Sequence, residues 1–253
     1  MVERPIHRLV DGKARPELDD LAEESIVTLY SNGEIVVKLL ATPVDLEDLA
    51  IGHIRCEGRG HVDSLTLDGH DLHLNGNFTM RPSDDLLTAA CGACTTGDIE
   101  QPLDSISRTI NLSADIGEMV NSMKAEQHLF SATGGVHAAA LFNQNGDLLV
   151  VREDIGRHNA FDKAIGASIR NQFDSKIVVM SSRIGWELVA KGVRSGVELI
   201  IAVGAISSAA EALARSSGIT LVGFASSKNP AIVGDLSRII DKPSFSRQNN
   251  VRS

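Results

Sequence analysis

A chain of 253 residues with 43% hydrophobic and 23% charged residues has the composition of an ordinary globular protein, long enough to bury one large core or two small ones. Its 24 Lys plus Arg face 33 Asp plus Glu, a formal net charge of -9, which argues against a broad nucleic-acid-binding surface but leaves room for a local phosphate pocket. The longest apolar runs are far too short to cross a bilayer, the start has no apolar core of signal-peptide length, and three sparse cysteines do not make a disulfide framework, so a cytoplasmic protein without membrane contact is expected.

Residues 1–24 read as a polar lead-in. Two β-branched runs, 25–30 and 34–40, flank Asn32-Gly33, a hairpin signal because both turn positions must tolerate positive φ. Thr42, Pro43 and Asp45 then suit the opening of a helix as cap, first-turn proline and first-turn acid. Leu46, Leu49, Ala50 and Ile54 supply its buried stripe, and Gly58 its stop. A second hairpin is expected over 62–67 and 70–74 around Asp68-Gly69. Residues 75–105 lack sustained periodicity and read as a long functional loop, and Ser113 then caps a helix running to about Gln127.

From residue 131 the pattern changes. Runs 136–142 and 148–151 flank a turn at 143–146, and a helix follows with Phe161, Ala164, Ile165 and Ile169 facing inward. Apolar strands over 176–180, 198–203 and 219–224 alternate with helices over 186–194 and 209–215, which predicts a largely parallel sheet covered on both faces. The expected organisation is α/β: a smaller, mostly β N-terminal part over 25–130, a C-terminal α/β domain over 131–240, and a polar tail over 241–253.

Cys91-Gly92-Ala93-Cys94 carries the most chemistry per residue. Thiols at this spacing can form a disulfide, bind a metal or pass sulfur between them. A zinc site would need further paired ligands, and neither a second CxxC nor a suitably spaced His pair follows, so no metal is expected. A thioredoxin-like centre would need a strand running into a helix, and residues 83–90 do not read as a convincing strand. Polar, Gly-rich flanks disfavour deep burial of two inert thiols. An exposed nucleophile on a mobile loop stands beside these alternatives, and spacing alone does not choose among them.

Elsewhere, Gly134 and Gly135 permit close backbone approach by an anion before His137, and Arg157 and His158 open a helix whose N-terminus favours phosphate or carboxylate. Ser182 and Arg183 follow one apolar strand, and Phe224, Ala225, Ser226, Ser227, Lys228 and Asn229 follow another. Parallel sheets bind ligands beyond the carboxyl ends of their strands. The same residues also suit caps, turns and surface ion pairs.

Residues 131–166 (SATGGVH through FDKAIG) resemble the signature of the formate dehydrogenase accessory sulfurtransferases. So do Asn32-Gly33, residues 41–58 (ATPVDLEDLAIGHIRCEG), the CGAC loop, Ser182-Arg183 with Glu187, Lys191 and Gly196, and residues 218–224 (GITLVGF), in the family's order. The resemblance implies that sulfur passes from a cysteine desulfurase through Cys91, with Cys94 as its partner, to a molybdenum or tungsten bis(molybdopterin guanine dinucleotide) cofactor destined for formate dehydrogenase. It places cofactor binding on residues 224–229 and implies a fold similar to the cytidine deaminases and a homodimer. Deaminase chemistry itself is not expected, because His137 is followed by Ala138 and Ala139 where that chemistry needs His-x-Glu. The chain departs from the family at Gly204-Ala205-Ile206-Ser207-Ser208, where Ser-Ala-Pro-Thr is usual, and after Phe224, where arginines are usual. A non-catalytic chaperone that binds the cofactor is the alternative reading.

Overall fold

A computed structural model describes residues 1–80 and 104–239, and between them the backbone of 86–87 and 94–95. Strands β1 (Val2–Val10) and β2 (Lys13–Leu21) form an antiparallel hairpin through Asp11-Gly12, whose φ values are both positive. The lead-in is therefore a strand pair. Its polar composition misled the reading because nearly all of its residues face solvent, and strand pairing needs only backbone groups.

Strands β3 (Ser25–Ser31) and β4 (Glu34–Ala41) turn at Asn32-Gly33 as expected. Helix α1 (Leu46–Cys56) follows, then β5 (Gly60–Asp68) and β6 (Asp71–Phe78), giving a four-stranded sheet in the order β4-β3-β6-β5. Leu46, Leu49, Ala50 and Ile54 of α1 pack with Val27, Leu29, Leu72 and other sheet residues in one buried cluster. Thr42 does not cap α1, which starts later. Its amide instead donates to Asp154 Oδ2 at 3.0 Å and its hydroxyl oxygen accepts from the Ile155 amide at 3.0 Å, tying the end of β4 to the second sheet. Strands β7 (Leu86–Leu87) and β8 (Cys94–Thr95) pair antiparallel, with Leu87 opposite Cys94.

Helix α2 (Ile116–Ala125) is capped by Asp115, which accepts from the Glu118 amide, while Ser113 donates to the Gln144 carbonyl. The helix expected to run to Gln127 is broken, and a short α3 (His128–Thr133) follows it. Strands β9 (His137–Phe142) and β10 (Leu148–Asp154), helix α4 (Arg157–Asn171), β11 (Ile177–Met180), α5 (Trp186–Ser195), β12 (Leu199–Ala202), α6 (Ser208–Ser217), β13 (Thr220–Gly223) and β14 (Ala231–Val233) complete the chain. The six-stranded sheet runs β10-β9-β11-β12-β13-β14. Only the β11–β12 and β12–β13 pairs are parallel; β10–β9, β9–β11 and β13–β14 pair antiparallel, so the sheet is mixed where a largely parallel one was expected.

One face of this sheet packs against α4, α5 and α6 through Phe161, Leu188 and Leu213, and the other against α2 through Met119, Val120 and Met123. Phe161, Ala164 and Ile165 face inward as expected, but Ile169, at 44% exposure, does not. Among the described residues no helix is long and apolar enough to cross a membrane.

Candidate functional site

The parallel strands all end at one edge of the six-stranded sheet. Because β9 runs antiparallel to β11, its first residue, His137, lies at that same edge, as does the turn from β10 into α4. Ser181 and Ser182 follow β11 there, and Val203 and Gly204 follow β12. Three cationic or ionisable groups converge. Burial first, then the nearby Arg157 and Arg183, push the half-buried His137 imidazole below its usual pKa. A site that repels a proton from His137 in this way suits an anion.

Beside His137 opens a cleft of about 580 Å³, whose lining includes Lys124, Phe130, Gly134, Gly135 and Ser181. Gly134 takes φ +65 as the left-handed end of α3, and a Cβ on Gly135 would press on the Ala22 methyl at 3.1 Å, so the glycine pair keeps the chain close to the first hairpin's exit. Lys124 Nζ also donates to Ser226 Oγ at 3.2 Å, joining this cleft to a neighbouring one of about 450 Å³ that Ser226, Ser227 and Lys228 help to line. Phe224 stands half exposed with φ +54, a left-handed conformation that is costly for a bulky residue and recurs at functional sites.

Not every expected residue faces this edge. Ala225 is buried in the core, and Asn229 is exposed but does not line either cleft. Ser182 is buried and donates its hydroxyl to the Arg183 carbonyl, while Arg183 is exposed. His158 is only 2% exposed, and neither ring nitrogen has a hydrogen-bond partner among the described residues. Burial, then Lys191 and Arg157, push its pKa down to about 3. It therefore serves the interior, and a ligand role for it is not supported. Cys91 lies outside the described residues, as do residues 241–253; for Cys94 the backbone alone is described.

Two carboxylates at the end of β10 take structural roles that residue type alone did not assign. Glu153, buried, accepts from the Leu129 and Phe130 amides at 2.8 and 2.9 Å and so holds the start of α3. Asp154 pairs with Lys163 at 2.7 Å, both wholly buried, while Lys163 Nζ also donates to the Thr42 carbonyl at 2.9 Å. Their only sequence signal was acidity at a strand end before a helix. Lys124 and Phe130 were missed as well, because nothing local shows that α2 and α3 border the strand ends. Among the described residues no group of three or more His, Cys, Asp or Glu side chains could hold a metal ion.

The depressed His158 makes a stability prediction. In the unfolded chain the imidazole takes up a proton below about pH 6.5, whereas in the fold it stays neutral down to about pH 3. Its contribution is thus present above the unfolded pKa and is lost as pH falls through that window, on the order of a few kcal/mol at most. Thermal melts from neutral pH to about pH 4 should show a falling Tm, and His158→Leu should make that fall shallower; an unchanged slope in the variant would contradict the assignment.

Comparison with known proteins gives one consistent result. The model of the FdhD/NarQ family matches residues 22–240. A Sulfolobus acidocaldarius protein called sulfur carrier protein FdhD is 32% identical over 234 residues, covering 87% of this chain and 90% of that protein. A Mycolicibacterium paratuberculosis protein of the same name is 33% identical over 251 residues, covering 87% and 92%. A crystal structure described as that of a formate dehydrogenase accessory protein from Desulfotalea psychrophila superposes with a TM-score of 0.76 at 22% identity, covering 94% of this chain and 99% of that one, and so shares the fold.

Proposed function

Since the chain belongs to the FdhD/NarQ family, we propose that it is a sulfur carrier acting in formate dehydrogenase maturation. In this reading Cys91 and Cys94 move sulfur from a cysteine desulfurase to the molybdenum or tungsten bis(molybdopterin guanine dinucleotide), which is the substrate and not a resident cofactor. The Cys91 thiolate attacks the outer sulfur of the donor's persulfide; the donor's S–S bond breaks, its cysteine leaves as thiolate, and Cys91 holds S–SH. Attack by the Cys94 thiolate on the inner sulfur then expels hydrosulfide to the acceptor and leaves a Cys91–Cys94 disulfide, which a thiol reductant reopens.

The observation that carries the reading is the convergence of His137, Arg157 and Arg183 beside the Gly134-Gly135 cleft, at the strand edge where α/β sheets bind nucleotides. That edge suits the phosphates of the cofactor's guanine nucleotide, with Lys124 and Lys228 as further cations on its two clefts. Phe224, Ala225, Ser226, Ser227, Lys228 and Asn229 remain the proposed cofactor segment, with Ala225 contributing backbone only because its side chain is buried. The catalytic subunit of formate dehydrogenase is the recipient of the sulfurated cofactor in this reading. A homodimer belongs to it too, and Leu9 and Leu18, 74% and 62% exposed on the first hairpin, offer apolar surface for a partner.

The test combines peptide mass spectrometry with an activity assay. After incubation with a desulfurase and cysteine, the Cys91 peptide is expected to gain the mass of one sulfur atom. Formate dehydrogenase matured in cells carrying the Cys91→Ala, Cys94→Ala double variant is expected to be inactive. Full activity with that variant would instead favour a cofactor-binding chaperone without sulfur chemistry.

A further inference from the structure

The phenyl ring in the 580 Å³ cleft belongs to Phe130, on α3. Phe142 and Phe161 are fully buried, as this residue type usually is, whereas Phe130 is 46% exposed. A single exposed apolar side chain is ordinary; the anchoring of this one is not. Its amide donates to the buried Glu153 carboxylate at 2.9 Å, and its carbonyl accepts from the Gly134 amide at 2.7 Å. Both of its backbone groups are thus spent, one on a carboxylate from the end of β10 and the other on the glycine turn. The backbone that carries the ring is held at the cleft by the sheet itself, so that only side-chain torsions remain to be ordered on binding.

The rest of the lining sets the ligand's chemistry. Val136 and Val203 add apolar surface, while Lys124, Ser131 and Ser181 add one cation and two hydroxyls. An apolar wall with a few polar groups and an anion-favouring end fits a flat, polar-edged ring system attached to phosphate. We propose that Phe130 is a specificity-determining residue which stacks on the guanine base of the nucleotide substrate. This rests on the cofactor-binding reading above and goes further by dividing the labour: Phe130 takes the planar ring, and the His137, Arg157 and Arg183 end takes the phosphates.

Calorimetric titration of the full chain with GDP and, separately, with inorganic pyrophosphate tests the division. Phe130→Ala is expected to weaken GDP binding about tenfold or more and to leave pyrophosphate binding unchanged, with Phe130→Tyr restoring the GDP affinity. Phe130→Leu keeps an apolar side chain of similar bulk without the aromatic face, so it reads out stacking should the alanine variant misfold. Equal GDP affinity in unsubstituted, Ala and Leu chains overturns the stacking role alone. So does a parallel loss of GDP and pyrophosphate binding, which marks Phe130 as merely structural. An unsubstituted chain that binds neither ligand overturns the cofactor reading together with this inference.

Discussion

Lys191→Met is expected to destabilise the protein by about 3–5 kcal/mol, because it removes the buried cation that two buried carboxylates share. Lys191 on α5 is 1% exposed and donates to Glu57 Oε1 at 2.6 Å and to both Asp162 oxygens at 2.9 Å. His53 Nδ1 lies 3.2 Å from Asp162 Oδ2, and the Cys56 thiol, fully buried, is pushed well above its usual pKa by burial and by Asp162. Burial would raise the Glu57 pKa, but Lys191 and then His53 outweigh it and bring it down to about 2. Asp162 is lowered and Lys191 raised for the same reason, the ion pairing overcoming the burial of each.

The sign of the pH dependence follows from the depressed carboxylates. Glu57 contributes stability that is fully present above its unfolded pKa near 4.5 and is lost as pH falls through about 2. Chemical denaturation of Lys191→Met at neutral pH should therefore show the large loss, and the gap to the unsubstituted protein should narrow in acid. Adding Glu57→Gln and Asp162→Asn to Lys191→Met should recover part of the loss, since it also removes the buried negative charge that Lys191 neutralised. A loss under about 1 kcal/mol, in the range of an exposed pair, would mean that the network is solvated and not buried.

The second large effect is expected at the crossing of α1 and α4. A Cβ on Gly52 would sit 1.7 Å from the Asp162 carbonyl oxygen, and one on Gly166 would sit 1.9 Å from that of Asp48. Each glycine lies against the other helix's backbone, so the helices must part before either can be replaced. Gly→Ala inside a helix normally gains about 1 kcal/mol. Here Gly52→Ala and Gly166→Ala are each expected to cost about 3 kcal/mol or more through overpacking. Once one methyl has separated the helices the other finds room, so the double variant should cost clearly less than the sum of the two. Equilibrium denaturation of the three variants measures this; additive costs, or a net gain from either single change, would contradict the close crossing. The crossing matters for function because α4 carries Arg157 at its N-terminus, and α1 holds that helix in place through Asp48, which accepts from Arg152 and Arg170 at 2.8 Å each.

Local signals in the sequence were enough for most elements of the fold. Asn32, Gly33 and Gly69 mark their hairpins because positive φ is a property of the turn residues themselves. The runs of β11 and β12 are apolar throughout, and β13 is buried at every position, because both of their faces are covered, and the apolar runs can be read from composition. The chemistry of Cys91 and Cys94 was proposed from residue type, spacing and family likeness, and the described residues add no side-chain geometry to it.

Other features depended on contacts far apart in the chain. Residues 2–21 pair as strands despite a polar sequence, Thr42 is bound to Asp154 across 112 positions, and His158 turns from the rim into the core. Lys191 and Asp162 from two helices meet Glu57 from the end of a third, and Phe130 reaches the strand edge because Glu153 holds α3 there. Turn geometry and strand burial leave a mark within a few residues. Which carboxylate neutralises which lysine, and which ring faces the cleft, is decided by how helices and sheets pack, and no local window of sequence contains that information.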